Sequence, residues 1–418
     1  MQKLPDSVCQ LRQLGYLNLS GCSWLMTLPE SFGGLLNLRY INLSRCSRLM
    51  TLPESFGALL NLRYINLSGC SQLMTLPESF GGLLNLWYIN LSRCNRLAEL
   101  PESFGKLKSL TYLDLSFWCC CEGIWFLGGL TSLEHLNLSH PCCYLPQHRE
   151  HLVGLKDVLC KLVNLQYLNL SMCMNPIFCY LSEEECRQYI QSCTSGLSNL
   201  QHLDLSHNIF LDGLPESLGE LQKLHTLDLT GCTRLESVAN ESDSLNLVVI
   251  RNCRGLESCS FVVRTDDGRF SSNLVQLENV NCQDLEITCL EKVKSREEAQ
   301  RIRLVEKRNV KELTLGWTVG SHGSVENDAN LLGELKPPHD LQRLKLHGYR
   351  ATCLPDWMGC LTSLQELCIC KCRVLKYLPR GIKGLDNLKN LQIIECPRLE
   401  NWCKENKKKL GRIQPTYG

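Results

Sequence analysis

Residues 20–43 read SGCSWLMTLPESFGGLLNLRYINL, residues 44–67 read SRCSRLMTLPESFGALLNLRYINL, and residues 68–91 read SGCSQLMTLPESFGGLLNLWYINL. The unit is 24 residues long, and a looser copy, SRCNRLAELPESFGKLKSLTYLDL, fills 92–115. The core of the copies is the pattern L-x-x-L-x-L-x-x-C, as in Leu14, Leu17, Leu19 and Cys22, with Ile41, Ile65 and Ile89 in place of the second Leu. Side chains alternate along a strand, so Leu17 and Leu19 point inward while Tyr16, Asn18 and Ser20 point outward. The return segment carries Leu25, Leu28, Phe32 and Leu35. Pro29 fixes φ, Ser31 offers a cap to a short helical turn, and Gly33 and Gly34 let the chain bend back. No single unit can bury its apolar face alone, so the copies must stack.

That pattern is the signature of a leucine-rich repeat. The fold class it implies is an α/β solenoid: a leucine-rich-repeat horseshoe with a parallel β-sheet on the concave face and short helices and turns on the convex face. Strand starts are expected near Leu14, Leu38, Leu62, Leu86, Leu110, Leu133, Leu165, Leu200, Leu224, Leu245, Leu274, Val310, Leu341, Leu364 and Leu388. At roughly 4.8 Å per strand the stack extends about 70 Å. Beyond Leu110 the spacing becomes irregular, which predicts insertions near 140–160 and 174–196. In the second, Leu181, Cys186 and Ile190 are spaced for one face of a short helix. The turn-rich RTDDGRFSS after residue 262 suggests a division into blocks 1–262 and 263–418. The second block has a helical insertion near 295–309, with Ala299, Ile302 and Val305 on its inner face.

The chain has 27 cysteines. Ten of them fall eight residues after an expected strand start: Cys22, Cys46, Cys70, Cys94, Cys173, Cys232, Cys253, Cys282, Cys372 and Cys396. Asn208 fills the same slot in another copy. This is a structural ladder, in which a small side chain inside the turn bonds neighbouring backbone groups. Cys119, Cys120, Cys121, Cys142 and Cys143, with His140, His148 and His151, raise the question of zinc. No C-x-x-C pair occurs there, and adjacent cysteines rarely ligate one tetrahedral ion together. They read as idle or buried thiols. Cys368 and Cys370 are expected to face outward along one strand, which suits a reducing compartment.

Catalytic chemistry is not evident. The P-loop pattern, H-E-x-x-H, G-x-S-x-G and the kinase motifs do not occur. No enzyme, no metal site and no cofactor bound by this chain are expected. A net charge of +1 gives no reason to expect nucleic acid as the partner. The basic run at Lys404–Arg412 reads as a solvated tail. MQKLPDSVCQL lacks the layout of a signal peptide, and no apolar run reaches the ~18 residues of a membrane span. Six N-L-S sequons lie on one sheet face, where glycans would crowd, so a cytoplasmic or nucleocytoplasmic location is expected. Leu4, Pro5 and Ser7 align with Leu28, Pro29 and Ser31, so the sequence opens inside a return segment, and a longer receptor is the expected context.

The expected binding surface is the concave face. One outward row reads Tyr16, Tyr40, Tyr64, Tyr88, Tyr112, His135, Tyr167 and His202. Cross-strand packing alone accounts for such a row, while rigid aromatics also anchor interfaces. The slots that vary between near-identical copies are more telling. Arg39, Arg63 and Trp87 share one slot, and Gly21, Arg45, Gly69 and Arg93 another. They suggest a basic-aromatic patch on the first four strands, although a solvated surface is the plain alternative, since Glu30, Glu54, Glu78 and Glu102 recur nearby.

Residues 285–346 add a resemblance. Leu285, Ile287, Leu290 and Val293, then Glu298, Ala299, Leu304 and Lys307, then Leu313, Leu315 and Trp317, resemble the segment joining two halves of the repeat region in plant nucleotide-binding leucine-rich-repeat immune receptors. The next repeat is similar too, through Pro337, Leu341, Leu344, Leu346, Gly348, Tyr349, Pro355 and Trp357, and so is the closing LQIIECPRLENWC. Ile302 stands where the family has Ala. The resemblance implies a non-catalytic recognition domain of innate immunity and disease resistance. Its implied partners are a pathogen effector, a guarded host protein or its own nucleotide-binding module. ADP or ATP is expected only on such a module, which these residues do not include. A stand-alone intracellular signalling scaffold is the alternative.

Overall fold

Tyr40, Ile41 and Asn42 lie opposite Tyr64, Ile65 and Asn66 in parallel register, and those lie opposite Tyr88, Ile89 and Asn90. This one-to-one register is what a 24-residue repeat must give when each copy is laid on the last. The computed structural model describes residues 2–118, 124–139, 154–175, 181–239, 247–250, 253, 256–265, 272–318, 325–406, 410 and 413–417. The chain divides into two compact units, Met1–Cys232 and Thr233–Gly418. That division falls upstream of the one expected after residue 262. Its physical reason is visible in the pairing: Ser258–Val262 bonds to Asp284–Thr288 and so belongs with the later strands.

In the first unit nine strands succeed one another in chain order within one parallel sheet: β1 (Tyr16–Asn18), β2 (Tyr40–Asn42), β3 (Tyr64–Asn66), β4 (Tyr88–Asn90), β5 (Tyr112–Asp114), β6 (His135–Asn137), β7 (Tyr167–Asn169), β8 (His202–Asp204) and β9 (Thr226–Asp228). Behind them the return segments form short 3-10 helices, among them Glu54–Ala58, Glu78–Gly82 and Glu102–Lys106. Phe32, Phe56, Phe80 and Phe104 are fully buried and stack at centroid distances of 5.7, 6.0 and 5.9 Å. Each such burial contributes on the order of 2–3 kcal/mol, which places the core between sheet and return segments.

Two expectations about the return segment change. Ser31 does not cap the turn it precedes, and Ser55 lies inside its turn, behind Pro53. Instead the serines stitch copies together: Ser79 Oγ donates to the Glu54 carbonyl and Ser103 Oγ to the Glu78 carbonyl, both at 2.7 Å. Gly33 is required by space rather than by bending, because a Cβ there would sit 2.2 Å from the Ser55 carbonyl oxygen. Positive φ falls elsewhere, in the turn after each strand, at Gly21, Arg45, Gly69 and Arg93 with φ of 76, 60, 73 and 58°.

The insertions hold helices. α1 is Leu155–Leu159 and α2 is Glu183–Thr194. Ser182 and Glu185 form a reciprocal capping box at the start of α2. Cys186 and Ile190 are buried as their spacing predicts, together with Cys193.

The second unit holds a parallel sheet ordered β10 (Ser237–Ala239), β12 (Ser258–Val262), β13 (Asp284–Thr288), β14 (Glu312–Gly316), β15 (Arg343–His347), β16 (Glu366–Cys370), β17 (Asn390–Ile394) and β18 (Pro415–Tyr417), as well as the short strand β11 (Leu247–Val249). Its helices are α3 (Arg296–Arg301), α4 (Val325–Glu334) and α5 (Pro397–Glu405). The strand expected near Leu274 is out of phase. Leu274 lies in a 3-10 helix, Asn273–Asn279, and the strand is β13, where Leu285 pairs with Leu313. Strands β10, β12 and β18 had no expected start. The helical insertion is also shorter than its spacing suggests. Arg303 takes φ of 49°, which ends α3, so Leu304 turns inward and Val305 is 44% exposed. Among the described residues no helix is long and apolar enough to cross a membrane.

Candidate protein-binding face

The Tyr row on the outer face of the first sheet is a continuous stack. Tyr16, Tyr40, Tyr64, Tyr88, Tyr112, His135 and Tyr167 succeed one another at centroid distances of 4.4, 4.2, 4.2, 4.3, 4.1 and 4.1 Å, with ring planes within 12° of parallel. His202 ends the run at 6.2 Å and a 43° tilt. From Tyr40 to His135 each ring is covered on both faces by its neighbours, so that stretch presents edges and hydroxyls to solvent. Burial raises the hydroxyl pKa of Tyr40, Tyr64 and Tyr167 above the ordinary tyrosine value, so these groups remain neutral donors.

The same burial pushes His135 down to about 4. Its imidazole titrates lower in the folded chain than when unfolded, so the folded form binds fewer protons between those values. Stability from this group is therefore full above the unfolded pKa near 6.5 and is lost as pH falls toward 4. The His135→Tyr variant, which continues the row, should remove that acid loss, roughly 2 kcal/mol once the shift is discounted for the ring's partial exposure to solvent. Melting curves at neutral and mildly acid pH would show it. An unchanged pH slope would mean that His135 is solvated.

The next outward row is engaged internally. Asn18, Asn42, Asn66, Asn90, Asn137 and Asn169 each accept a hydrogen bond through Oδ1 from the backbone N–H two residues on, at 2.8–3.0 Å. Asp114, Asp204 and Asp228 do the same. These Asx turns close the strand ends, which explains why all six sequon asparagines recur.

The slots that vary stand out from the face. Arg39, Arg45, Arg63 and Arg93 are exposed. Trp87 is 45% exposed and meets Tyr64 and Tyr88 edge-on at 6.4 and 5.8 Å. Arg45 and Arg93 occupy the left-handed turn position filled by Gly in alternate copies. A non-glycine residue there costs roughly 1–2 kcal/mol. Arg93 lies over the Phe117 ring at 5.0 Å. Two further exposed features escaped the sequence reading. Leu36, Leu60 and Leu84 are 52, 59 and 57% exposed, and Arg48 stacks on Trp24 at 3.9 Å. The Leu-Leu doublet of each copy is the signal that could have revealed the first, since only one of the two can face the core.

The cysteine ladder has a definite geometry. The Sγ atoms of Cys46, Cys70 and Cys94 donate to the Leu19, Leu43 and Leu67 carbonyls at 3.2 Å, and Cys232 donates to Leu205 at 3.3 Å. Asn208 donates to Leu170 and Leu205 at 3.1 and 2.7 Å. Cys396 donates to Ile369 at 3.4 Å, while Cys372 favours Cys370 at 3.2 Å. Burial raises the thiols of Cys46 and Cys94 to about 11 and about 12, which keeps them protonated. Cys173 is buried, Cys253 is half-buried, and Cys22 is exposed. Cys282 is not a ladder residue: it precedes Leu285 by three, the phase of a strand start, and packs there fully buried. Cys370 is also buried rather than outward, with its Sγ 3.2 Å from that of Cys368. The cysteines and histidines at 119–121, 140–143, 148 and 151 lie outside the described residues.

The segment 285–317 is held by buried polar and aromatic contacts within the second unit. Glu298, nearly buried, accepts the Ser272 backbone N–H at 2.8 Å and the Ser272 hydroxyl. Lys307 Nζ donates to the carbonyls of Leu277, Glu278 and Val280 at 2.6, 3.0 and 2.6 Å. Trp317 is buried against Tyr349, with centroids 5.1 Å apart. Asp328 holds Arg350 through two bonds of 2.7 and 3.1 Å.

The chain is similar in sequence to known proteins. Residues 272–396 match the family described as R13L1/DRL21 LRRs. Residues 28–195 match a leucine-rich repeat region, and 13–35 and 199–221 match the Leucine Rich Repeat itself. Disease resistance protein RGA2 of Solanum bulbocastanum is 34% identical over 88 residues, 21% of this chain and 9% of that protein. Disease resistance protein RPS4B of Arabidopsis thaliana is 29% identical over 208 residues, 48% of this chain and 16% of that protein. The chain is a leucine-rich-repeat protein, and its repeats are of the kind carried by plant nucleotide-binding resistance proteins. It spans only a small part, between 9% and 16%, of the curated relatives it matches.

Proposed function

We propose that this chain is the non-catalytic recognition region of a plant disease resistance receptor. It reads a pathogen effector or a guarded host protein on the outer face of the first sheet, in the cytoplasm or nucleus. It also holds the receptor's nucleotide-binding module inactive until a ligand arrives. The observation that carries this reading is the contrast within each repeat. Core residues, Asx turns and the ring stack are constant, while the protruding slot changes from Arg39 and Arg63 to Trp87. Arg and Trp are the residue types most enriched in binding hot spots. A scaffold whose core is insensitive to these changes suits a protein that must vary what it binds. The similarity to resistance proteins RGA2 and RPS4B supports the same reading.

The test is the combined Arg39→Ala, Arg63→Ala and Trp87→Ala variant, placed in the receptor and expressed in leaf. Its response to the matching pathogen strain should drop at least tenfold, with the melting transition within about 0.5 kcal/mol of the parent. A retained response would remove this face from recognition. An immunoblot against residues 296–312 addresses the context: a band far above 47.5 kDa supports the receptor, and one at that mass supports a free scaffold.

A further inference from the structure

We infer that the ligand of this face presents an acidic segment of polypeptide to strands β2–β4, where Arg39, Arg45, Arg63 and Arg93 receive its carboxylates. This deepens the proposed function and rests on it.

Charge on this face is left unbalanced. Among the described residues none of these four arginines forms an ion pair. Arg39 and Arg63 are nevertheless direct neighbours, because the backbone N–H groups of Arg63 and Tyr64 both bond to the Arg39 carbonyl, at 2.9 and 3.1 Å. Like charges on adjacent strands repel, and no ion pair described in the first unit offsets them. The second unit treats the same problem differently. On its sheet Glu312, Arg343 and Glu366 lie in register on consecutive strands, and Arg343 bonds to both carboxylates at 2.6 and 3.5 Å. A sheet face of this protein that is neutralised internally thus looks different from one that awaits a partner.

Two of these arginines sit in the left-handed turn that follows each strand. Arg45 and Arg93 hold φ of 60 and 58°, a conformation in which alternate copies use Gly21 and Gly69. The same left-handed turn is held by Phe117, Met172 and His207 in later repeats, so it belongs to the repeat and leaves the unpaired charge as the feature peculiar to these copies.

The ring stack selects the class of partner. Single-stranded nucleic acid would also answer to arginines, but it needs open aromatic faces on which bases stack. In the Tyr row only Tyr16, at its end and 57% exposed, leaves a ring face open, since the others cover one another at 4.2–4.4 Å. What it offers is a line of neutral hydroxyls, which donate well to carboxylates.

The experiment measures binding of three labelled probes by fluorescence anisotropy. They are an acidic peptide of about twelve Glu, Asp, Gly and Ser residues, its charge-reversed lysine counterpart, and a thymidine oligomer of similar length. The acidic peptide should bind best, and should weaken about tenfold when NaCl rises from about 50 to about 300 mM. Arg39→Glu with Arg63→Glu should abolish that binding, while Arg343→Gln in the second unit should leave it unchanged. Arg45→Gly with Arg93→Gly should raise the melting temperature and lower affinity several-fold, a combination that misfolding cannot produce. Equal binding of the lysine peptide, or indifference to charge reversal, would overturn the inference, as would tighter binding of the thymidine oligomer. If the acidic peptide fails while the alanine variant above still loses its immune response, the face recognises protein and only its acidic preference is wrong. If that response survives, the recognition face itself is misassigned.

Discussion

Lys307→Met should destabilise the second unit by about 3 kcal/mol, read as a lower denaturant midpoint for that unit's transition. Met nearly matches the lysine stem in volume, so little cavity forms. What disappears is a set of three donors. Lys307 is 5% exposed, and its ammonium closes the end of the Asn273–Asn279 turn by bonding the carbonyls of Leu277, Glu278 and Val280. Removing one partner of a buried hydrogen bond leaves the other desolvated, at about 1–3 kcal/mol each. The Leu277 carbonyl keeps a second partner in the Val280 N–H at 3.1 Å, which holds the total near the lower bound. Burial pushes the Lys307 pKa down to about 8, still charged at pH 7. The folded chain therefore binds fewer protons than the unfolded one between about 8 and the ordinary 10.5, and stability from this group rises with pH across that window. The Met variant should lose that rise. A loss below ~1 kcal/mol would show that water takes over the three carbonyls.

Gly57→Ala should cost at least about 3 kcal/mol, although it adds a single methyl group. A Cβ at Gly57 would lie 2.4 Å from the Ser79 carbonyl oxygen, 2.5 Å from Ser79 Cβ and 2.7 Å from its Oγ. Two of those atoms are fixed by the next repeat, and Ser79 is itself tied to the Glu54 carbonyl at 2.7 Å. The sheet side of the stack is held at its own spacing by ladder hydrogen bonds, so the methyl group can be accommodated only by parting the return segments. Gly219 is the control. It holds the same phase of PESLG that Gly57 holds in PESFG, yet a Cβ there meets nothing within 4 Å. Gly219→Ala should be neutral or stabilising by about 0.4–1 kcal/mol through the unfolded chain. Equal melting temperatures for the two variants would show that the return segments do not bear on one another.

The repeat, its phase and the inward residues were legible in the amino-acid order alone. A 24-residue period admits one register per strand, and the inward Leu, Ile and Phe positions from Leu38 to Leu115 are buried. That order also marked which face would be outward and which slots vary on it, because alternation along a strand is a local property. Where the period fails, so did the reading. Leu274 and Cys282 fit the spacing but sit in other roles, since pairing of β13 with β14 fixes the register and a neighbouring strand is not visible in local spacing. The helix at 296–301 stops at Arg303 because the chain must turn there, which left Val305 outside and drew Leu304 in.

What the repeated residues do emerges from the packing of one copy on the next. The glycines are small because the next repeat touches them, and the serines bond to the previous copy rather than to their own turn. The tyrosines cover one another's faces, and among the described residues Arg39, Arg45, Arg63 and Arg93 form no ion pair of the kind that Arg343 makes in the second sheet. Each of these is a relation between residues about one full repeat or more apart in the chain. Sequence spacing specifies that such neighbours exist, but distance, stacking and charge balance between them arise only when the copies are packed.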